Sequence, residues 1–249
     1  MNAAHGQSQY QVRFDWGVEG ALTIGENADV IVVVDVLSFG TTVGLAVEQG
    51  LEVLLASPEG AADVAALHRA TVAGVRGSAG PSLSPASMTS GNLSGIERLV
   101  LPSPSGSRVS AALAEHPATV VAGSLRNRTA IAKWALEKQG DKGDRFTVAV
   151  IASGEQRDDG STRFAIEDLL GAGAVIDALA DVGIDYCSPE AAAASAAFTG
   201  LRNATGHLIG ASASGRELTE QGYRADVDLA IALDASTTVP VLGADGYRG

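Results

Sequence analysis

The stretch VIVVVDVLSFGTTVGLAVEQG, residues 30–50, decides the fold of this chain. Its first five residues are all apolar and β-branched, and Asp35 comes soon after them. A turn rich in Ser, Gly and Thr follows, and a helical pattern then continues to Gly50. Because a wholly apolar strand is typical of a parallel sheet covered by helices, the stretch predicts one strand–turn–helix unit.

The same unit recurs along the chain, which predicts a mostly parallel sheet between layers of helices. Further strands are predicted at 11–17, 51–56, 96–102, 118–123 and 146–152. The last part predicts helices near 190–198 and 206–221 and short strands at 227–233 and 238–242. We expect a disordered tail over residues 1–9 and a single α/β domain over 10–249. The Ser/Pro/Gly-rich segment 77–92 is interpreted as a long functional loop, with a domain boundary as the alternative.

Composition limits the possible partners and compartments. The chain has 29 acidic and 17 basic residues, a formal net charge of −12, which argues against nucleic acid or an anionic membrane as a partner. Its single cysteine, Cys187, excludes an intrachain disulfide and suits a reducing cytosol. With no apolar signal core near the N-terminus and no membrane-length apolar run, we expect a cytoplasmic protein.

Ligands of open α/β sheets bind outside the carboxyl ends of the strands, which directs attention to four loops. These loops are 35–42, 102–107, 123–128 and 153–168. Three of them combine Gly with Ser, Thr or Asn just before a helix, a pattern that offers main-chain N–H groups to an anion such as phosphate. The alternative is that these residues are ordinary helix caps. No Walker loop or dinucleotide fingerprint follows a strand.

Acidic and basic side chains accompany these loops. Asp35, Glu167 and Asp168 would suit Mg²⁺, a hard ion that prefers oxygen ligands, although acids in a first helical turn also stabilise the helix dipole alone. Arg126 and Arg128 could form a fork on phosphate or sulfonate oxygens, with surface exposure as the equal alternative. The histidines and Cys187 do not have the spacing of a metal-binding or catalytic motif.

The segments DVLSFGTT, SLSPASM, SPSGS, GSLRN and AIEDLLGAG, in this order and spacing, resemble the 2-phosphosulfolactate phosphatase family. The resemblance covers residues from about 10 to 243. It implies a three-layer α/β/α sandwich with a mostly parallel, mixed sheet. It also implies Mg²⁺-dependent hydrolysis of phosphosulfolactate to sulfolactate and phosphate, a step of coenzyme M biosynthesis.

The residues and the resemblance together predict a site. Asp35, Glu167 and Asp168 are assigned to catalysis and to the metal. The residues assigned to substrate binding are Ser38, Thr41, Thr42, Ser84, Ser105, Gly106, Ser107, Ser124, Arg126, Asn127 and Arg128. The chain departs from the family's motifs at three places: Ser38-Phe39 replaces the basic turn of DVLRA, Leu83 replaces the Asn of NSP, and Ser105 replaces the Asn of TTNGT.

Two functions follow as hypotheses. The first is a Mg²⁺-dependent phosphatase for a small anionic, phosphorylated or sulfonated substrate. The second is a non-catalytic relative that binds a small anion and has lost turnover, which the three departures motivate. A haloacid-dehalogenase-like phosphatase is disfavoured because its D-x-D motif would need Asp where Leu37 stands. An apolar stripe on an Ala-rich helix would permit a homodimer.

Overall fold

A computed structural model describes residues 3–88, 91–103, 106–157 and 159–249. Its strands are β1 (Val12–Trp16), β2 (Val30–Val34), β3 (Glu52–Leu54), β4 (Thr71–Val72), β5 (Arg98–Val100), β6 (Thr119–Gly123), β7 (Val148–Ala152), β8 (Glu155–Gln156), β9 (Thr162–Arg163), β10 (Val241–Leu242) and β11 (Gly246–Arg248). Its α-helices are α1 (Gly17–Ile24), α2 (Phe39–Glu48), α3 (Ala61–His68), α4 (Gly106–Ala112), α5 (Arg128–Lys142), α6 (Ile166–Asp181), α7 (Pro189–Leu201), α8 (Thr205–Ala211), α9 (Ala213–Glu220) and α10 (Arg224–Ala230). Short 3-10 turns lie at Ala3–Gly6, Pro85–Ser87, Leu125–Asn127 and Arg202–Ala204.

Nine of these strands form one mixed sheet in the order β1-β7-β2-β6-β10-β11-β3-β5-β4. The first four are mutually parallel, and so are the last three. The C-terminal hairpin β10–β11 joins the two blocks through antiparallel pairs on both sides. The pairs β6–β10, β10–β11 and β11–β3 are all antiparallel, so the strand direction reverses three times between β6 and β3. Strands β3, β4 and β5 therefore run opposite to β6.

The valine-rich strand β2 lies in the middle of the parallel block, between β7 and β6. Val30, Val32 and Val34 pack in one cluster with apolar residues of α5, α6 and α7. Ile31 and Val33 pack on the other face with residues of α1 and α4. Burial on both faces accounts for the uninterrupted apolar run and confirms the predicted α/β/α layering.

Several elements differ from the sequence-based expectation. The predicted strand at 227–233 is wrong, because residues 227–230 belong to α10, where Asp226, Val227 and Ala230 are buried at helical spacing, and residues 231–233 follow that helix without forming a strand. The predicted helix 206–221 is two helices that part at Ser212, whose hydroxyl caps α9 by accepting a hydrogen bond from Gly215 N at 3.1 Å. Helix α1 was not predicted.

Within the expected tail, the turn Ala3–Gly6 is followed by Gln7, whose side chain makes hydrogen bonds with the main chain of Phe14. A search of the described ranges finds no helix with the length and apolar character needed to cross a membrane.

Candidate active site

Asp35 lies just beyond β2 and is almost completely buried, with 2% of its surface exposed. Its Oδ1 accepts a hydrogen bond from Phe39 N at 2.9 Å, and its Oδ2 accepts one from Gly106 N at 3.0 Å. The main-chain oxygen of Asp35 also accepts from Gly40 N at 2.8 Å. One carboxylate therefore fixes the first turns of two helices, α2 and α4, against the end of the central strand.

Gly106 can approach Asp35 this closely only because it has no side chain. A Cβ at position 106 would lie 2.4 Å from Phe39 Cδ1 and 2.8 Å from Asp35 Oδ2. Real Cβ atoms do not come this close to other heavy atoms. The glycine of the SPSGS segment is thus required by the contact that its N–H makes with the carboxylate.

Asp168, in the first turn of α6, is 3% exposed and binds two other loops. Its Oδ1 accepts from Val36 N at 2.8 Å, and its Oδ2 accepts from Gly154 N at 2.9 Å. Burial raises the pKa of Asp168 well above its usual value, and the negative charges of Asp35 and Glu167 raise it further. The two N–H bonds act in the opposite direction. Acidic groups from two distant parts of the chain therefore lie close enough to repel one another.

Glu167 is also buried, but its hydrogen bond leads to a different part of the fold. Its Oε1 accepts from Ser214 Oγ of α9 at 2.5 Å. The same hydroxyl makes a short hydrogen bond with Glu155, which forms an ion pair with Arg163. The adjacent acids Glu167 and Asp168 consequently contact different neighbours, since consecutive residues of a helix point in different directions.

Ser38 and Ser84 belong to a second polar cluster, built around Asp226 of α10. Ser84 Oγ donates to Asp226 Oδ1 at 2.5 Å, and Ala86 N donates to the same oxygen at 3.0 Å. Arg76 forms an ion pair with the other oxygen, and its Nη2 lies 3.3 Å from Ser38 Oγ. Asp226 is fully buried, so this cluster ties the 76–88 segment to α10 beside the turn after β2.

Neither Arg76 nor Asp226 was among the predicted site residues. No motif pointed to Asp226, because its neighbours were interpreted as a strand.

The predicted hydroxyl groups near Asp35 are bonded within the fold. Thr41 Oγ1 and Thr42 Oγ1 donate to main-chain oxygens at 2.8 and 2.9 Å. Ser107 Oγ likewise donates to a main-chain oxygen, that of the residue four positions before it. Ser105, which was also predicted, lies outside the described residues.

The loop after β6 forms a closed capping arrangement. Ser124 N donates to Asn127 Oδ1 at 3.0 Å, and Ser124 Oγ accepts from Arg126 N at 3.2 Å. Asn127 Nδ2 donates to the main-chain oxygens of Ala122 and Thr238, at 3.1 and 3.2 Å. The amide of Asn127 is therefore used to hold this loop to the C-terminal segment.

The two arginines of the same loop form ion pairs with acids of other elements. Arg126 lies 3.8 Å from Glu48 and donates to a main-chain oxygen of α10 at 3.2 Å. Arg128 pairs with Asp177 at 2.9 Å and with Asp234 at 3.0 Å. The structure thus unites Asp35, Gly106 and Asp168, whereas it engages Arg126 and Arg128 in ion pairs with α2, α6 and the segment after α10.

A cavity of about 440 Å³ opens beside the first turns of α4. Ser107 and Arg108 line it, directly after the glycine that contacts Asp35. The whole lining comprises Leu55, Ala56, Ser57, Pro58, Glu59, Ser103, Ser107, Arg108, Ala111 and Gln156. The lining thus combines apolar side chains with hydroxyl, amide, guanidinium and carboxylate groups, and Ser107 and Arg108 connect it in sequence to the glycine that binds Asp35.

The described ranges contain no group of three or more His, Cys, Asp or Glu side chains arranged to hold a metal ion. The geometry instead brings two acids together. Asp35 and Asp168 each accept two main-chain N–H bonds, and the residues that donate them lie in neighbouring loops or at the first positions of the helices that follow them.

Comparison with known proteins identifies the family of the chain. No curated protein matches the chain. The family model described as 2-phosphosulpholactate phosphatase matches residues 20–245, a range that includes every acid and loop of the site described above. This match covers nearly all of the 249 residues, and the chain therefore belongs to the 2-phosphosulpholactate phosphatase family.

Proposed function

We propose that the protein is a phosphatase that hydrolyses a small anionic phosphate ester at the site formed by Asp35 and Asp168. The observation that supports this most strongly is the pair of buried carboxylates, each held by two main-chain N–H groups. A fold tolerates buried, mutually repelling acids most readily where they have a functional partner. Family membership supplies the reaction class.

The donor set fits Mg²⁺, which family resemblance implies. A carboxylate offers about four acceptor positions, and the N–H bonds of Asp168 occupy two of them. Mg²⁺ usually takes one or two protein carboxylates and completes its shell with water and substrate phosphate, so a third acidic ligand is not needed. We propose that Asp35 and Asp168 would hold the ion, which when bound would neutralise charge on the phosphoryl oxygens. Glu167, which is bonded to Ser214, would not be a ligand of the ion in this arrangement.

The chain's own groups would then bind and orient the reactants. The N–H groups of Phe39 and Gly106 keep the Asp35 carboxylate in a single orientation, in which it could position the attacking water. The cavity beside α4 would receive the rest of the substrate, and Arg108 would match a second anionic group there. The net charge of −12 suits a small ligand that responds to local groups rather than a polyanion.

Purified protein should release phosphate in the presence of Mg²⁺ from phosphosulfolactate or from a panel of small phosphate esters. Asp35→Ala should lower kcat/KM by about a hundredfold or more, because it removes a charged group at the reacting centre. Asp141→Ala is a matched control, since Asp141 is an exposed acid on α5. Absence of phosphate release across the panel, or full activity of Asp35→Ala, would refute the proposal.

The second candidate is a protein that binds a small anion without turnover. It is favoured by the internal bonding of Asn127, Arg126 and Arg128, groups that the sequence assigned to the substrate. Thermal shift with phosphate and with sulfolactate separates the two candidates. Stabilisation by these ligands without hydrolysis of any ester would support the binding protein.

A further inference from the structure

Ser153 is a serine beside the site that sequence reasoning did not single out. It follows β7, and its N–H donates to Val34 O at 2.9 Å, which extends the pairing of β7 with β2 by one residue. Val34 and Ala152 are partners in this parallel register. Asp35 and Ser153 are the residues that directly follow this pair, so they lie next to each other where the two strands end.

The hydroxyl of Ser153 is buried and unpaired among the residues that the structure describes. Only 4% of the residue is exposed, and within the described residues its Oγ has no hydrogen-bond partner. Buried polar groups are nearly always hydrogen-bonded, and an exception requires an explanation. The predicted site hydroxyls behave differently, since each of the following takes part in a hydrogen bond with another protein group: Ser38, Thr41, Thr42, Ser84, Ser107 and Ser124.

The segment that carries Ser153 is held firmly on both sides. The next residue, Gly154, donates its N–H to Asp168 Oδ2 at 2.9 Å and has a positive φ of 65°. A Cβ at position 154 would lie 2.6 Å from a side-chain carbon of Thr162 and 2.7 Å from Arg163 O, in β9. Ser153 consequently lies between Val34, which precedes Asp35 in the chain, and Gly154, whose N–H binds Asp168.

We propose that Ser153 is a ligand-binding residue, whose Oγ–H donates to a phosphoryl oxygen of the molecule bound at Asp35 and Asp168. The inference rests on the proposed function, because it takes a phosphate group as the occupant of that site. A short side chain that is already buried loses little conformational entropy when it binds such an anion. Ser153 forms no covalent bond in this role and serves to bind and orient.

The test compares Ser153→Ala with the wild type in two measurements. Calorimetric titration with inorganic phosphate in the presence of Mg²⁺ should show affinity reduced by about tenfold or more, as expected for the loss of a hydrogen bond to a charged group. Steady-state hydrolysis of the best ester should show a similar fall in kcat/KM. The Tm should stay the same or rise, since the substitution removes an unsatisfied buried hydroxyl.

Ser188→Ala is the matched control. Ser188 is equally buried, but its Oγ accepts a hydrogen bond from Ala191 N at 3.1 Å as the cap of α7. Ser188 also donates its N–H to Val12 O, at the amino end of β1 and therefore far from the site. This variant should lose Tm and keep the phosphate affinity and kcat/KM of the wild type.

Three results would overturn the inference. Wild-type phosphate affinity and kcat/KM in Ser153→Ala would show that the hydroxyl does not contact the ligand. A loss of Tm like that of the control, accompanied by lost activity, would show a structural role. A wild-type protein that neither binds phosphate nor hydrolyses any ester would refute both this inference and the proposed function. If the wild type binds phosphate but hydrolyses no ester, and Ser153→Ala binds phosphate more weakly, the result would refute only the proposed phosphatase activity. It would support the role of Ser153 in binding.

Discussion

The loops after β2 and β6 look alike in sequence and serve different purposes in the structure. Both follow neighbouring parallel strands and place Ser, Thr or Asn before a helix. After β6, Ser124 and Asn127 bond to each other and to nearby main chain. After β2, Asp35 accepts an N–H from Gly106, which is 71 positions away in the chain. The loop after β6 is therefore bonded within itself and to the C-terminal segment. The loop after β2 instead brings a buried carboxylate against the first turn of a distant helix.

The largest expected effect comes from Gly106→Ala, which disrupts the contact between Gly106 and Asp35. The added Cβ would press on Phe39 and on Asp35 Oδ2, so the free energy of unfolding should fall by about 3 kcal/mol. Phosphatase activity should fall with it, since Asp35 would move. Urea denaturation and phosphate release measure the two effects.

Gly140→Ala is the control for that substitution, because a Cβ at position 140 of α5 meets no atom within 4 Å. It should leave stability equal or up to about 1 kcal/mol higher, as expected for Gly→Ala within a helix. Equal behaviour of the two variants would contradict the special role assigned to Gly106.

Asn127→Ala tests the loop after β6, in which the Asn127 side chain bonds to nearby main chain and to the C-terminal segment. It removes the acceptor for Ser124 N and two donated bonds, so the free energy of unfolding should fall by about 2 kcal/mol. Because the amide is bonded within the fold, kcat/KM should stay close to that of the wild type. Asn92→Ala, at an exposed asparagine with one hydrogen bond, should change neither quantity. A large rise in KM with intact stability would instead place Asn127 in the substrate site. The loop after β6 would then have the functional role that we assign only to the loop after β2.

The smallest expected effect is stabilisation by Mg²⁺ alone. If Asp35 and Asp168 hold the ion, a concentration tenfold above Kd should add about 1.4 kcal/mol to the free energy of unfolding. For a chain of this length that corresponds to a rise in Tm of about 3–6 °C. Differential scanning fluorimetry measures it, with KCl of equal ionic strength as the control. The same rise in Asp35→Ala would show that the ion binds elsewhere.

Much of the fold could be predicted from periodicity, and the failures have physical causes. The buried strands β2, β6 and β7 were recognised because both of their faces are apolar. The segment 227–233 was mistaken for a strand because a short apolar run fits either period, and packing around buried Asp226 selects the helix. The reversed direction of β3, β4 and β5 could not be predicted from local sequence patterns either. The C-terminal hairpin that imposes it lies up to about 190 residues further along the chain.

The β–α units, the family resemblance and the position of Asp35 at the end of an apolar strand could all be predicted from the sequence. These features depend on periodicity and on motifs within a few residues, which the chain carries locally. Which polar groups meet depends instead on how the layers pack. Val36 N reaches Asp168 across 132 positions, and Arg126 and Arg128 pair with acids of other elements. The buried hydroxyl of Ser153 has no hydrogen-bond partner in the described part of the chain. Hydrogen-bond partners are set by distance in space, and distance in space is fixed only when the layers pack.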